Sequence, residues 1–148
     1  MSLHGYNKIK GGIANTAKWF GSIGMRPPLV QAWAAAITEI GGGLMFAAGL
    51  LMPLAAAALI GLMVVAYVVA HRTNGFFIFR PNQGWEYVFI LGAVALGIGM
   101  IGAGRYSLDH AFGIHWNGWT ATLITVLVGI VPAAAVLAGC YRPPVSGR

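Results

Sequence analysis

The stretch AAAITEIGGGLMF, residues 34–46, places one carboxylate, Glu39, inside a run otherwise made of apolar and small residues and one threonine. The whole chain of 148 residues has only three acidic residues, so its position is informative. Residues 29–50 around it form an apolar run, with Pro28 suited to its first helical turn. A run of this length, at 1.5 Å rise per residue, crosses about 30 Å of hydrocarbon. Glu39 then falls near the middle of the bilayer. A charged group there costs at least about 2.5–3.5 kcal/mol on insertion scales, which argues against a lipid-facing position. Ala32, Ala35, Ala36, Glu39, Gly42 and Gly43 recur at helical spacing on one face, the face on which small residues let helices approach closely. Glu39 is therefore expected to point into a helix bundle.

Composition supports a membrane protein. The chain is 58% hydrophobic and 8% charged, with a mean hydropathy of +0.76, whereas soluble domains carry about 25% charged residues. Three further apolar runs follow, at about 53–71, 85–104 and 119–140. The expected fold is all-α: a polytopic membrane four-helix bundle over residues 29–141, preceded by a basic interfacial N-terminal segment, 1–28, and followed by a short basic tail, 142–148. Only LMP separates the first two spans, so they form a tight hairpin. Pro132 is expected to kink the last span. No apolar segment of secretory-signal type follows the start. Within the N-terminal segment, NTAKWFGSIGM (15–25) suits a short interfacial helix capped by Asn15.

Orientation follows from charge. An even number of spans puts both termini and the 72–84 loop on one side, with Lys8, Lys10, Lys18, Arg26, Arg72, Arg80, Arg142 and Arg148. The opposite side has Arg105 alone. This bias predicts cytoplasmic termini. The net charge of +6 reads as a membrane signature and not as nucleic-acid binding, because no basic stripe interleaved with aromatics is present. Trp85, Tyr87, Trp116, Trp119 and Tyr141 mark the interface belts.

Glu39 has two ways to be accommodated. It can stay protonated, since burial penalises the charged form, or the basic N-terminal segment can fold in to meet it. A neutral glutamic acid bonded to a neighbouring helix is the plain structural role; a ligand or proton site is the functional one. Glu86 begins the third span, where a helix dipole favours a carboxylate. The topology puts it on the same side as His4, Lys8, His71, Arg72 and Arg80, and these can converge into a polar mouth above Glu39. Tyr67 is a further candidate for bonding a ligand's oxygens. Asp109 lies beside Arg105 in GRYSLDHAFG, and a loop-closing ion pair between the two is expected. The four histidines sit at span ends without metal-ligand spacing, and the single cysteine, Cys140, excludes a disulfide relay within the chain.

LHGYNKI (3–9), TEIGGGLMFAAGLLMPLAAA (38–57), HRTNGFF (71–77), GWEY (84–87) and GAGRYSLDHAFG (102–113) together resemble the DoxX family of small bacterial membrane proteins, in order and correctly spaced. The resemblance implies a four-helix membrane bundle in the bacterial plasma membrane. It carries the family's motif glutamates onto Glu39 and Glu86, and its first motif onto His4, Gly5 and Lys8. It also implies a role in membrane oxidoreductase assemblies, such as quinone-linked thiosulfate oxidation or complexes with a superoxide dismutase and a sulfurtransferase. The sequence departs from the pattern twice. Only Met1 and Ser2 precede Leu3, where the family has most of a hydrophobic helix, and residues 114–148 add a span most members lack.

The reading is an integral membrane subunit or accessory protein of an oxidoreductase complex. The alternatives are a quinone-binding redox component in its own right, or a small proton-coupled transporter or membrane chaperone. No nucleophile, phosphate loop or metal cluster is encoded, and no cofactor beyond a candidate quinone is indicated. The expected partners are the lipid bilayer, other membrane or redox subunits and a second copy of the chain.

Overall fold

Each long apolar run becomes a helix, because backbone polar groups have no other partners in lipid. The computed structural model describes residues 1–81 and 83–144; Arg148 and the rest of the expected basic tail beyond residue 144 lie outside the described residues. The helices are α1 (Ser2–Lys10), α2 (Ile13–Ser22), α3 (Pro28–Ala48), α4 (Met52–Ala66, continued by a π-helical turn, Tyr67–His71), α5 (Glu86–Ile101), the short α6 (Leu108–Ala111) and α7 (Gly118–Cys140). The protein is an all-helical membrane bundle. Three segments, Pro28–Ala48, Met52–His71 and Gly118–Cys140, are long and apolar enough to cross a membrane. The fourth is shorter than expected. α5 has 16 residues because Gly102, at φ 90°, turns the chain away three residues before the apolar run ends.

The helices α3, α4, α5 and α7 nevertheless alternate in direction. Near the start of α3, Arg26 N–H donates to the Cys140 carbonyl at 2.7 Å and Arg142 N–H donates to Gly24 at 2.8 Å, tying the entry of α3 to the exit of α7. At the same end Tyr67 packs edge-on against Trp85, joining the exit of α4 to the entry of α5. At the other end the loop around α6 folds onto the α3–α4 turn.

α4 is the central helix, in contact with α3, α5 and α7. Its sequence explains this. Ala55, Ala56 and Ala57 are almost completely buried, and a helix with alanine and glycine on several faces accepts several close neighbours. A Cβ on Gly61 would lie 3.0 Å from the Gly129 carbonyl of α7, and one on Gly129 would lie 3.0 Å from the Ala57 carbonyl. A Cβ on Gly99 of α5 would meet Thr125 Oγ1 at 2.7 Å and Ala56 Cβ at 3.0 Å. Thr125, fully buried on α7, donates its hydroxyl proton to the Pro53 carbonyl at 3.2 Å. The core is thus a junction of small residues with one buried hydroxyl, satisfied by a carbonyl.

The α3–α4 turn shows how Asp109 is used, and it is not as expected. Asp109 makes no pair with Arg105. Its buried carboxylate accepts from Leu51 N–H (2.6 Å) and Met52 N–H (2.9 Å), while its own N–H donates to Gly49 (2.9 Å). The physical reason is that the first turn of α4 carries backbone donors without helical partners, and the positive end of its dipole favours an anion. No side chain of the turn itself caps α4. Leu51, at φ 46°, is a non-glycine residue in the left-handed region, and the carboxylate bonded to its N–H helps hold it there. Arg105 instead bonds Tyr106 Oη at 2.9 Å and lies over its ring. Asp109→Ala is expected to lower stability by about 2 kcal/mol, with two donors left unsatisfied, whereas Arg105→Ala changes it by less than about 0.5 kcal/mol. Thermal unfolding in mild detergent distinguishes the two variants.

Candidate functional site

α1 packs along the middle of α3, because Gly5 leaves nothing between the two backbones. A Cβ at Gly5 would lie 2.6 Å from the Ala36 carbonyl and 3.0 Å from Glu39 Cβ. One at Gly43 would meet Ser2 Oγ and Ser2 N. The two helices therefore run antiparallel, with Ser2 beside Gly43 and Gly5 beside Ala36. This places α1 against the centre of α3. α2 follows and turns toward the start of α3. Asn15 does not cap it: Gly12 stands at the cap position, and the Asn15 amide donates to the Gly11 carbonyl at 3.0 Å.

One turn beyond Gly5, Lys8 faces Glu39. Lys8 Nζ lies 2.6 Å from Glu39 Oε1 and 2.5 Å from Oε2. It is the one ion pair among the described residues. Of the two ways to accommodate a carboxylate in this helix, the structure takes the second: the N-terminal segment folds in and brings a cation. The small-residue face of α3 turns inward in part, with Ala35 and Gly43 half-buried. Ala32, Ala36, Glu39 and Gly42 are all buried.

The pair stands on the wall of an open-sided cavity of about 320 Å³ bordered by α3, α4 and α7. Ala57, Ala58 and Gly61 of α4 contribute small side chains to its lining, and Gly129 and Pro132 of α7 lie opposite. Pro132 removes one helical hydrogen bond to the Val128 carbonyl, and both residues line the space. Trp19, Phe20 and Met25, from α2 and the segment after it, line it as well. The polar lining consists of Lys8, Gln31, Thr38, Glu39 and His71. The π-turn contributes Val69, Ala70 and His71; π-turns inside helices recur at functional sites.

Of the six candidate ligand or proton residues, three therefore meet at one cavity: Glu39, Lys8 and His71. The other three do not. His4 is exposed on α1. Tyr67 stacks edge-on with Trp85 at 5.7 Å between ring centroids. Glu86 accepts from Ile78 N–H at 3.1 Å and holds the loop before α5, so the polar mouth expected to include it does not form. Its location is explained by local chemistry: a carboxylate in the first turn of α5 reaches back to the nearest free backbone donor. His71 itself is partly committed, with Nδ1 3.1 Å from the Gln83 carbonyl.

Two cavity residues are absent from the expectations, Gln31 and Thr38. Both were available in the sequence: they are seven apart, hence on one face of α3, and Thr38 adjoins Glu39. Among the described residues no three His, Cys, Asp or Glu side chains come together in a way that holds a metal ion.

These features define a class: a multi-pass helical membrane protein with a charged pair on the wall of a mainly apolar cavity. The DoxX family model matches residues 1–72. That stretch contains the Lys8–Glu39 pair and the α3 and α4 walls of the cavity, and over it the chain is similar to the small integral membrane proteins of that family. The match ends before GWEY and GAGRYSLDHAFG, which the motif resemblance also drew on. Neither the curated proteins nor the solved structures give a match.

A buried ion pair broken on one side leaves an uncompensated charge, at a cost of about 3 kcal/mol, while replacing both partners by apolar groups is far less damaging. Lys8→Met and Glu39→Met are each expected to destabilise by that amount, and the double variant by much less than the sum. A double-mutant cycle on unfolding in detergent measures the coupling.

Proposed function

We propose that this chain is an integral membrane subunit of an oxidoreductase assembly in the bacterial plasma membrane, with its C-terminus cytoplasmic. The match of residues 1–72 to the DoxX family model carries the reading. The site follows from it: Lys8, Glu39 and His71, with Gln31 and Thr38, form its polar groups, and residues 29–141 form the bundle that holds them. The chain's own chemistry points to a binding or positioning role, since the cavity offers hydrogen bonds, charge and apolar walls but no nucleophile paired with a base.

One observation favours a second reading, that the subunit holds a quinone. Ligand sites for such molecules are apolar spaces with a few well-placed polar groups, and the cavity has this character. Lys8 carries three N–H donors, of which the Glu39 oxygens engage two, and Thr38 and Gln31 add neutral donors. A quinone there would supply two-electron redox capacity. The protein's part is to bond its oxygens and exclude water from the ring.

Purification from the native membrane in mild detergent, followed by mass spectrometry of bound proteins and extracted quinones, tests both readings. Redox-enzyme subunits at fixed stoichiometry are expected. Retained quinone is expected to fall at least tenfold in Ala34→Phe, which adds a ring at the cavity lining. Purification without any redox partner contradicts the first reading, and absence of quinone from the unaltered protein contradicts the second.

A further inference from the structure

The loop between the π-turn and α5 contains four large apolar residues in succession, Phe76, Phe77, Ile78 and Phe79, all exposed and followed by Arg80. Such a run on a mobile loop would be unremarkable hydrophobic noise. Here it is held in place. Trp85 N–H donates to Gly75 (3.1 Å), Glu86 N–H to Phe76 (2.9 Å) and Gly84 N–H to Phe77 (3.1 Å), while Glu86 Oε2 accepts from Ile78 N–H. Gly84 has no room for a side chain, since a Cβ there would collide with the Phe76 carbonyl. The loop is a tight hairpin folded onto the entrance of α5.

The aromatic rings continue one another outward from the bundle. Tyr67 and Phe89 pack on Trp85, and Phe76 packs on it edge-on at 4.7 Å. This cluster sits where α4 leaves and α5 enters the bundle, the level at which aromatic belts lie. Phe77 and Phe79 stack on each other at 5.2 Å next to it, and Phe79 is 80% exposed. The Arg80 guanidinium lies 6.0 Å from the centre of the Phe77 ring, so the cation and the rings share one face. Arg72 leaves the π-turn at the same end, and Arg26 and Arg142 are brought there by the backbone bonds between the α3 entry and the α7 exit. The one acidic side chain at this end, Glu86, is engaged by Ile78 N–H.

We infer that the Phe76–Arg80 hairpin is a membrane anchor that recognises acidic phospholipids: the rings enter the boundary between headgroups and acyl chains, and Arg80 and Arg72 bond the lipid phosphates. Rings and arginine on one rigid face match that boundary, apolar below and anionic above. A guanidinium bonds phosphate oxygens in bidentate fashion. Net anionic headgroups are favoured over zwitterionic ones because four arginines crowd this end against a single engaged carboxylate. The inference is independent of the cavity and of the redox reading.

The full chain in nanodiscs of phosphatidylcholine with increasing phosphatidylglycerol, read by native mass spectrometry of retained lipid, tests it. The unaltered protein is expected to retain phosphatidylglycerol preferentially. Arg72→Gln/Arg80→Gln is expected to reduce that preference by more than tenfold, about fivefold for each arginine, while Arg72→Lys/Arg80→Lys keeps most of it and Arg105→Gln at the opposite end leaves it intact. A spin label at Phe79→Cys, in a Cys140→Ala background, is expected to report lipid depth. Equal retention of both lipids, an unaffected preference in the double glutamine variant, or a label that reports water or a protein surface at position 79 would each overturn the inference.

Discussion

A carboxylate in the middle of an apolar helix must be neutralised or paired, and in this protein the pairing of Glu39 with Lys8 organises everything around it. Lys8 reaches Glu39 because α1 lies against α3 without an intervening side chain, which requires Gly5. The same requirement explains why the face of α3 that carries Glu39 is built from alanine and glycine. An ion pair in this setting stabilises little by itself; its importance is that either partner alone would be costly. Specificity of packing is the consequence: α1 has one place on α3 at which the charges meet.

The second organising feature is α4, whose small residues allow α3, α5 and α7 to approach it from different sides. The helix is fixed at both ends by polar groups from elsewhere in the chain. Asp109 caps its start across the α3–α4 turn, and the Gln83 carbonyl bonds His71 Nδ1 at its end. Between them, the crossing of Gly61 and Gly129 sets how closely α7 approaches. The cavity lies where α3 and α7 flank α4, so the packing that holds the bundle together also makes the space that the charged pair borders.

Much of this was legible in the residues. Hydropathy and helical spacing place α3, α4 and α7, and the depth cost of a carboxylate turns Glu39 inward. What remained open was its partner, because α1 is too polar and glycine-rich to announce itself as a helix that enters the bundle. The role of Asp109 is hidden for a related reason: Arg105 is its neighbour in sequence, but its partners are backbone donors of a helix start 57 and 58 residues away. The short α5 depended on a single left-handed glycine, Gly102, whose conformation hydropathy does not encode. Topology puts Glu86 on the side toward which the Glu39 site opens, yet a backbone N–H eight residues upstream satisfies it first. Charge in the sequence indicates that a partner is needed; it does not say whether that partner is a side chain or the backbone.

Everything above depends on the charged contact between Lys8 and Glu39 inside the folded protein. Solid-state NMR on the chain in lipid bilayers, with ¹⁵N on the lysine ammonium groups and ¹³C on the glutamate carboxylates, measures this through their dipolar coupling. Strong dephasing of one glutamate carboxylate signal is expected, lost in Lys8→Met and unaffected by Lys10→Met. A Glu39 signal that shows no coupling to any lysine nitrogen would contradict it.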